Sequence, residues 1–270
     1  MRAPRSASAF FGGAILTLAV LMAMAAPWLA PQDPLRQDIG NRLQPPSRSH
    51  LLGTDSLGRD LLSRLIWGSR PTLGLVALVG SLMLPIGLAV GILAGYLGGW
   101  IERSLMGLTN VVMAFPQLVL ALAFVGLIGP GLINAALALV LTGWPAYARL
   151  ARAETLVLRR SDYIAAAEMQ GITGFRLLWG HVLPSCIPSA RIRLALDLAG
   201  VILTAAALGF LGLGVQPPTP EWGTMIAEGS RVVFDQWWVA AIPGAAIFLV
   251  SVACNALADG LRDLGDPRHG

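Results

Sequence analysis

The chain contains no lysine. All 19 basic residues are arginines, set against 15 acidic ones for a net charge of +4. A nucleotide-binding P-loop needs a lysine to reach the phosphates, so the chain has no such loop with which to hydrolyse ATP. The arginines are scattered, which excludes the one-sided basic face of a nucleic-acid binder. Cysteine is as scarce: Cys186 and Cys254 form neither a disulfide framework nor a metal-ligand spacing. His50, His181 and His269 are equally dispersed, and no bound metal is expected. Neither a nucleophile elbow nor a His-Glu-x-x-His pair occurs, and no other catalytic constellation can be assembled. Charge is the largest deficit. Only 13% of residues are charged and 55% are hydrophobic, where a soluble domain carries about a quarter charged residues.

The charges leave long runs empty, and a hydrocarbon core about 30 Å thick needs roughly 20 apolar residues in a helix. The first run, Ser6 to Gln32, has its apolar body at Phe10–Ala30. Ala23-Met24-Ala25-Ala26 resembles a signal-peptidase site, but this body exceeds the roughly 7–15 residues of a signal core, so a retained anchor over residues 1–30 is expected. Residues 31–70, rich in proline, arginine and aspartate, read as an extracytoplasmic connection. A second helix is expected over Thr72–Tyr96. Residues 104–148 carry no charge, and Gly129-Pro130-Gly131 divides them into helices near Leu105–Ile128 and Leu132–Tyr147. Two more follow, near Leu194–Val215 and Trp238–Ala258. The fold class is thus an all-α integral membrane protein of about six transmembrane helices, with residues 71–270 as its main transmembrane domain.

With both termini inside, 12 of the 19 arginines fall on the cytoplasmic side, as the positive-inside rule asks. Trp28, Trp100, Trp237 and Trp238 mark interfaces. Pro85, Pro116, Pro145 and Pro243 free carbonyls that neighbouring helices must satisfy, and Gly87, Gly91 and Gly95 permit close helix contact.

Between the fourth and fifth crossings the composition changes. Residues 149–193 carry seven arginines together with Glu154, Asp162 and Glu168. Good helix formers over Arg152–Gln170 end at Gly171, a residue suited to a left-handed helix terminus. Thr173 can cap a short helix over Gly174–Trp179, and Pro184 and Pro188 are expected to break it. This gives a cytoplasmic helix–Gly–helix loop at residues 150–190. Phe175, Leu177 and Leu178 would form an exposed apolar knob there. It reads equally as a docking surface for a partner or as a helix lying on the lipid interface with Trp179 as anchor. Asp197, read as lying near the start of the fifth helix, is a functional candidate as an intramembrane acid, although Arg193 four residues earlier can pair with it.

Tyr163-Ile164-Ala165-Ala166-Ala167, then Gly171, then Leu183-Pro184 resembles the EAA loop of binding-protein-dependent ABC importer permeases. The pattern departs at Ala165, where the family has glutamate; Glu168 lies one helical turn later. Leu51-Leu52-Gly53-Thr54-Asp55-Ser56-Leu57-Gly58-Arg59-Asp60 is similar to the "LGTDxxGRD" segment of the dipeptide/oligopeptide/nickel permeases. Phe210–Gly214, Glu221–Ile226 and Asp259–Asp263 fit the same family in its order, and the pattern is that of the C-type subunit. The resemblance implies a non-catalytic subunit of the bacterial inner membrane. Its implied partners are a second, B-type permease, two cytoplasmic ATPases that carry ATP and magnesium, and an extracytoplasmic substrate-binding protein. It implies that Ala166, Ala167, Gly171, Phe175, Leu177 and Pro184 couple the chain to the ATPases. Asp55, Arg59 and Asp60 would contact the binding protein or cap a local turn, and Trp222 and Gly223 would belong to an outer gate. The substrate class it implies is di- or oligopeptides or a nickel chelate. A self-sufficient secondary transporter would instead need charged midplane residues and inverted repeats, and no repeat is found.

Overall fold

A hydrophobic chain in lipid must satisfy its backbone internally, and helices make up most of the computed structural model, which describes residues 5–265. Arg2 and His269 lie outside the described residues. The elements are α1 (Arg5–Met24), α2 (Ala26–Leu29), α3 (Leu61–Leu97), α4 (Gly99–Met113), α5 (Gln117–Ile128), α6 (Leu132–Leu158), α7 (Asp162–Met169), α8 (Gly174–Leu177), α9 (Leu183–Phe210), α10 (Trp222–Ser230) and α11 (Trp238–Gly265). By length and hydropathy, three helices among the described residues can cross a membrane, or four when α4 and α5 count as one bent crossing. The count of six from sequence is therefore approximate.

Several boundaries differ from the sequence reading. The second crossing begins at Leu61 and not Thr72, because the Asp60 carboxylate caps Ser63 N–H and Pro71 sits inside the helix. The connection correspondingly shortens. The expected third helix is two, meeting at 91° around Pro116. The fourth continues past Tyr147 to Leu158, so Arg149, Arg152 and Glu154 belong to α6. Arg152 pairs with Glu102 of α4 there. The expected helix over Arg152–Gln170 is instead the end of α6, a turn, and α7. The fifth helix starts eleven residues before Leu194: Pro184 lies in its first turn, where no N–H is needed, and Pro188 lies inside it. A five-residue π-helical stretch, Leu178–Val182, makes the chain helical from Gly174 to Phe210. In a water-free setting a freed carbonyl finds no solvent to favour breaking the helix, so proline is tolerated inside.

The α3–α6 pair forms the centre of the molecule. Gly87, Gly91 and Gly95 face Tyr147, Ala148, Ala151 and Thr155 so closely that any side chain on them would strike α6, as their spacing suggested. Val79, Met83, Leu139 and Tyr147 fill the main core with Ile202 and Leu208 of α9. α1 lies along α11, and α10 tucks between α9 and α11.

Candidate functional site

Three places bring polar or exposed groups together. The first is the elbow between α6 and α9. Ser161 caps α7, and Gly171 ends it at φ +79. Gly171 N–H donates to Glu168 O at 2.9 Å and Ile172 N–H to Ala167 O at 3.1 Å, the paired bonds of a Schellman motif. The expected Thr173 cap forms no side-chain hydrogen bond. Ile164, Ala167, Leu177, Val182 and Cys186 are buried beneath the elbow against Leu88 and Ile92 of α3 and Ala151 of α6. Leu177 is therefore not part of an exposed knob. It is fully buried and welds the elbow to the bundle, as Ala167 does. Ala166 is half-buried, and Pro184 is exposed.

The elbow's outer surface carries Met169 at 84% exposure and Phe175 at 75%. Phe175 stacks on Trp179 at 5.9 Å, and the two rings line an apolar groove of about 510 Å³ with Leu88, Ile92 and Leu93 of α3. Tyr163 Oη and His181 Nδ1 lie 2.7 Å apart across the turn. Sequence reasoning missed Met169, which its place between Glu168 and Gln170, just ahead of Gly171, could have flagged.

The second place is the segment 53–60. Asp55, Arg59 and Asp60 are all buried, at 1%, 4% and 3% exposure, which withdraws them from direct contact with a partner. Asp55 Oδ1 accepts from Leu57 N–H at 2.8 Å and Arg59 N–H at 3.0 Å. Its Oδ2 accepts from Arg59 Nε at 2.6 Å and from Arg64. Both guanidiniums also reach Glu228 of α10, at 2.9 and 2.8 Å. Burial pushes the Asp55 carboxyl up, yet Arg64, Arg59 and the two N–H groups together hold it below its ordinary value. Asp60 caps α3 and meets His50 at 3.1 Å.

Trp222 is 1% exposed, its Nε1 donating to Leu65 O at 2.9 Å. A Cβ on Gly223 would lie 2.5 Å from Ala206 O, so α10 rests on α9 there. Glu221 caps α10 through Gly223 and Thr224 N–H and accepts from Thr72 of α3. It is buried, among the described residues no cation pairs with it, and burial raises its carboxyl above the ordinary range. Arg64 and Glu228 were not singled out from sequence, and Glu221 only as the first residue of the Glu221–Ile226 stretch; a lone acid or base carries no pattern until the fold pairs it.

The third place is a cavity of about 310 Å³ between α4–α5, α6 and α9. Met83, Phe115, Gln117, Thr142, Arg193, Asp197 and Thr204 line it. Arg193 Nε donates to Asp197 Oδ2 at 2.8 Å, and their side chains remain 47% and 26% exposed. The pair forms as the i, i+4 spacing suggested. Because α9 runs Leu183–Phe210, Asp197 lies inside the helix and not in its first turn. Among the described residues no cluster of three or more potential metal ligands occurs.

Residues 87–269 match the family described as binding-protein-dependent transport system inner membrane components, and residues 5–46 match the N-terminal transmembrane domain of oligopeptide transport permease C. The chain is 43% identical over 256 residues to a probable D,D-dipeptide transport system permease of Escherichia coli, covering 95% of this chain and 86% of that one. It is 45% identical over 261 residues to a di/tripeptide transport system permease of Pseudomonas aeruginosa, covering 94% and 86%. A glutathione transport system permease of Pectobacterium atrosepticum is 40% identical, over 95% of this chain and 85% of its own. Among solved structures, a chain of the MetNI methionine ABC transporter superposes with a TM-score of 0.58 at 18% identity, covering 73% of this chain and 96% of that one.

Proposed function

Because this chain belongs to the family of binding-protein-dependent transport system inner membrane components, as a C-type permease of the peptide group, we propose that it forms one half of the path by which a short peptide enters the cell. It is a multi-pass inner-membrane subunit of an ABC importer. The finer reading adds a B-type permease, an extracytoplasmic binding protein, and two ATPases that hold the ATP and magnesium this lysine-free chain is not built to bind. The names of its relatives, which specify dipeptides, di/tripeptides and glutathione, favour a short peptide over a nickel chelate. Catalysis by the chain itself is not part of the reading.

The observation that carries the coupling role is the elbow: rigidly packed beneath and apolar above. Leu177 and Ala167 fix it to α3 and α6, so a push on its surface moves the bundle and not a loose loop. Met169 and Phe175 supply the exposed apolar contact a partner would cover. Gly171 sets the angle between α7 and α8. Asp55, Arg59 and Asp60 act as a latch that shapes the outer surface, and Trp222 with Gly223 anchors α10 beneath it. Met169→Asp and Phe175→Asp, each in the co-expressed complex, should insert normally yet lose the ATPases in a detergent pull-down. Full ATPase retention in both variants would overturn the assignment of this face.

A further inference from the structure

An ion pair within a membrane helix avoids lipid tails. Its charged side chains turn toward the bundle interior or a water-filled cavity. Arg193 and Asp197 are such a pair, and on this chain alone they remain partly exposed toward a cavity. A second observation points to the same space independently. The α4–α5 crossing is broken by 91° at Ala114–Pro116, and Phe115 and Gln117, on either side of Pro116, line that same cavity. Non-helical backbone at membrane depth persists only where protein covers it or water reaches it. Thr142 and Thr204 add hydroxyls to the wall beside Gln117, Arg193 and Asp197.

We infer that Arg193 and Asp197, with Gln117 and Thr142 beside them, line the water-filled translocation path and balance the two terminal charges of a zwitterionic peptide. A free peptide carries an ammonium at one end and a carboxylate at the other. In a low-dielectric setting each needs an opposite charge or several hydrogen bonds. The guanidinium supplies donors in a fork suited to a carboxylate, and Asp197 retains acceptor capacity for the ammonium. The pair neutralises itself when no solute is present, so the path holds no net charge between turnovers. This inference rests on the peptide-importer reading, and the test separates the two.

The complete complex, with its ATPases and binding protein, is reconstituted in liposomes and supplied with radiolabelled dialanine. The double variant Arg193→Gln/Asp197→Asn keeps an amide-to-amide hydrogen bond while removing both charges. We expect ATP hydrolysis stimulated by loaded binding protein to persist while dialanine uptake per ATP falls about tenfold, the scale of a lost hydrogen bond to a charged group. A merely structural pair would be rescued by the amides, and uptake at the unaltered rate overturns the inference. Should the double variant fail to assemble, Thr204→Cys in the otherwise unaltered chain decides. Cys186 and Cys254 are buried, so labelling by a charged, membrane-impermeant thiol reagent reports water at position 204. Labelling that dialanine slows supports the path; no labelling overturns it. ATP-independent uptake by the unaltered complex would sink the importer reading instead.

Discussion

Replacing Asp55 with asparagine isolates the charge of the outer latch. The asparagine oxygen can still accept from Leu57 and Arg59 N–H, so the turn is retained. What disappears is the negative charge between Arg59 and Arg64, which are 4% and 2% exposed. Both guanidiniums then share Glu228, whose side chain is 29% exposed. Removing one partner of a buried ion pair costs about 3–5 kcal/mol. Because Glu228 still compensates one charge, the lower end applies, about 3 kcal/mol. At roughly 2–4 °C per kcal/mol for a chain of this size, thermal unfolding of the purified complex in detergent should fall by roughly 6–12 °C. Adding Arg64→Met leaves Arg59 balanced by Glu228 and should recover at least half of the loss. The Asp55 carboxyl sits below its ordinary 3.8. Its stabilisation is therefore complete above about pH 4 and is lost as the pH falls through the lowered value; the two curves should converge in strong acid. An unshifted midpoint for D55N, or a double variant no better than the single, would refute the reasoning.

Glu221 titrates in the opposite sense. Its carboxyl is raised above 4.5 by burial, so its stabilising effect is full in acid and fades as the pH rises through the folded-state value. Unfolding midpoints should decline as the pH rises above 4.5, and Glu221→Gln should flatten that slope. At Gly171 a Cβ would meet nothing within 4 Å, so Gly171→Ala imposes only the left-handed backbone strain, on the order of 1 kcal/mol. Transport coupled to ATP hydrolysis should weaken more than expression does, and Gly171→Asn should restore most of it. Gly91→Leu places carbon against Ala148 O and Ala151, with Arg152 N at 2.9 Å; overpacking at this contact costs about 1–3 kcal/mol or more, and the protein should fail to accumulate in membranes.

How much the sequence revealed depended on whether a feature was local. Gly171 was legible because a left-handed terminus needs glycine whatever surrounds it, and the Gly87, Gly91 and Gly95 stripe because its spacing marks one helix face. The i, i+4 pairing of Arg193 with Asp197 was equally local. Leu177 was misread because helix spacing alone does not say which face of a four-residue helix turns inward; α3 and α6 decided that. The latch was half visible. Asp55, Arg59 and Asp60 stood out as a motif, while Glu228, 169 residues from Arg59, had no signal until α10 folded back. Helix boundaries were least legible: Pro184 and Pro188, read as breakers, lie in α9, whereas Pro116, read as internal, stands at the α4–α5 break.

That last misreading matters because it changes what a charge means. If the fifth helix began at Leu194, Asp197 would sit in its first turn, where lipid headgroups and water accept a carboxylate and the Arg193 pair needs no further account. Because Pro184 and Pro188 lie inside the helical stretch, the same residue stands well inside it and faces the cavity, where an exposed ion pair calls for water or a polar neighbour. The corrected start of α3 acts likewise. A 37-residue helix spans roughly 55 Å, carrying Arg64 of the latch near one end and Leu88 and Ile92 beneath the elbow toward the other. The latch and the elbow therefore share one continuous element, locked to α6 along its glycine stripe. A displacement of the elbow cannot leave the latch in place unless α3 bends, and Pro71 and Pro85 are the points where its backbone lacks a hydrogen bond and bending costs least.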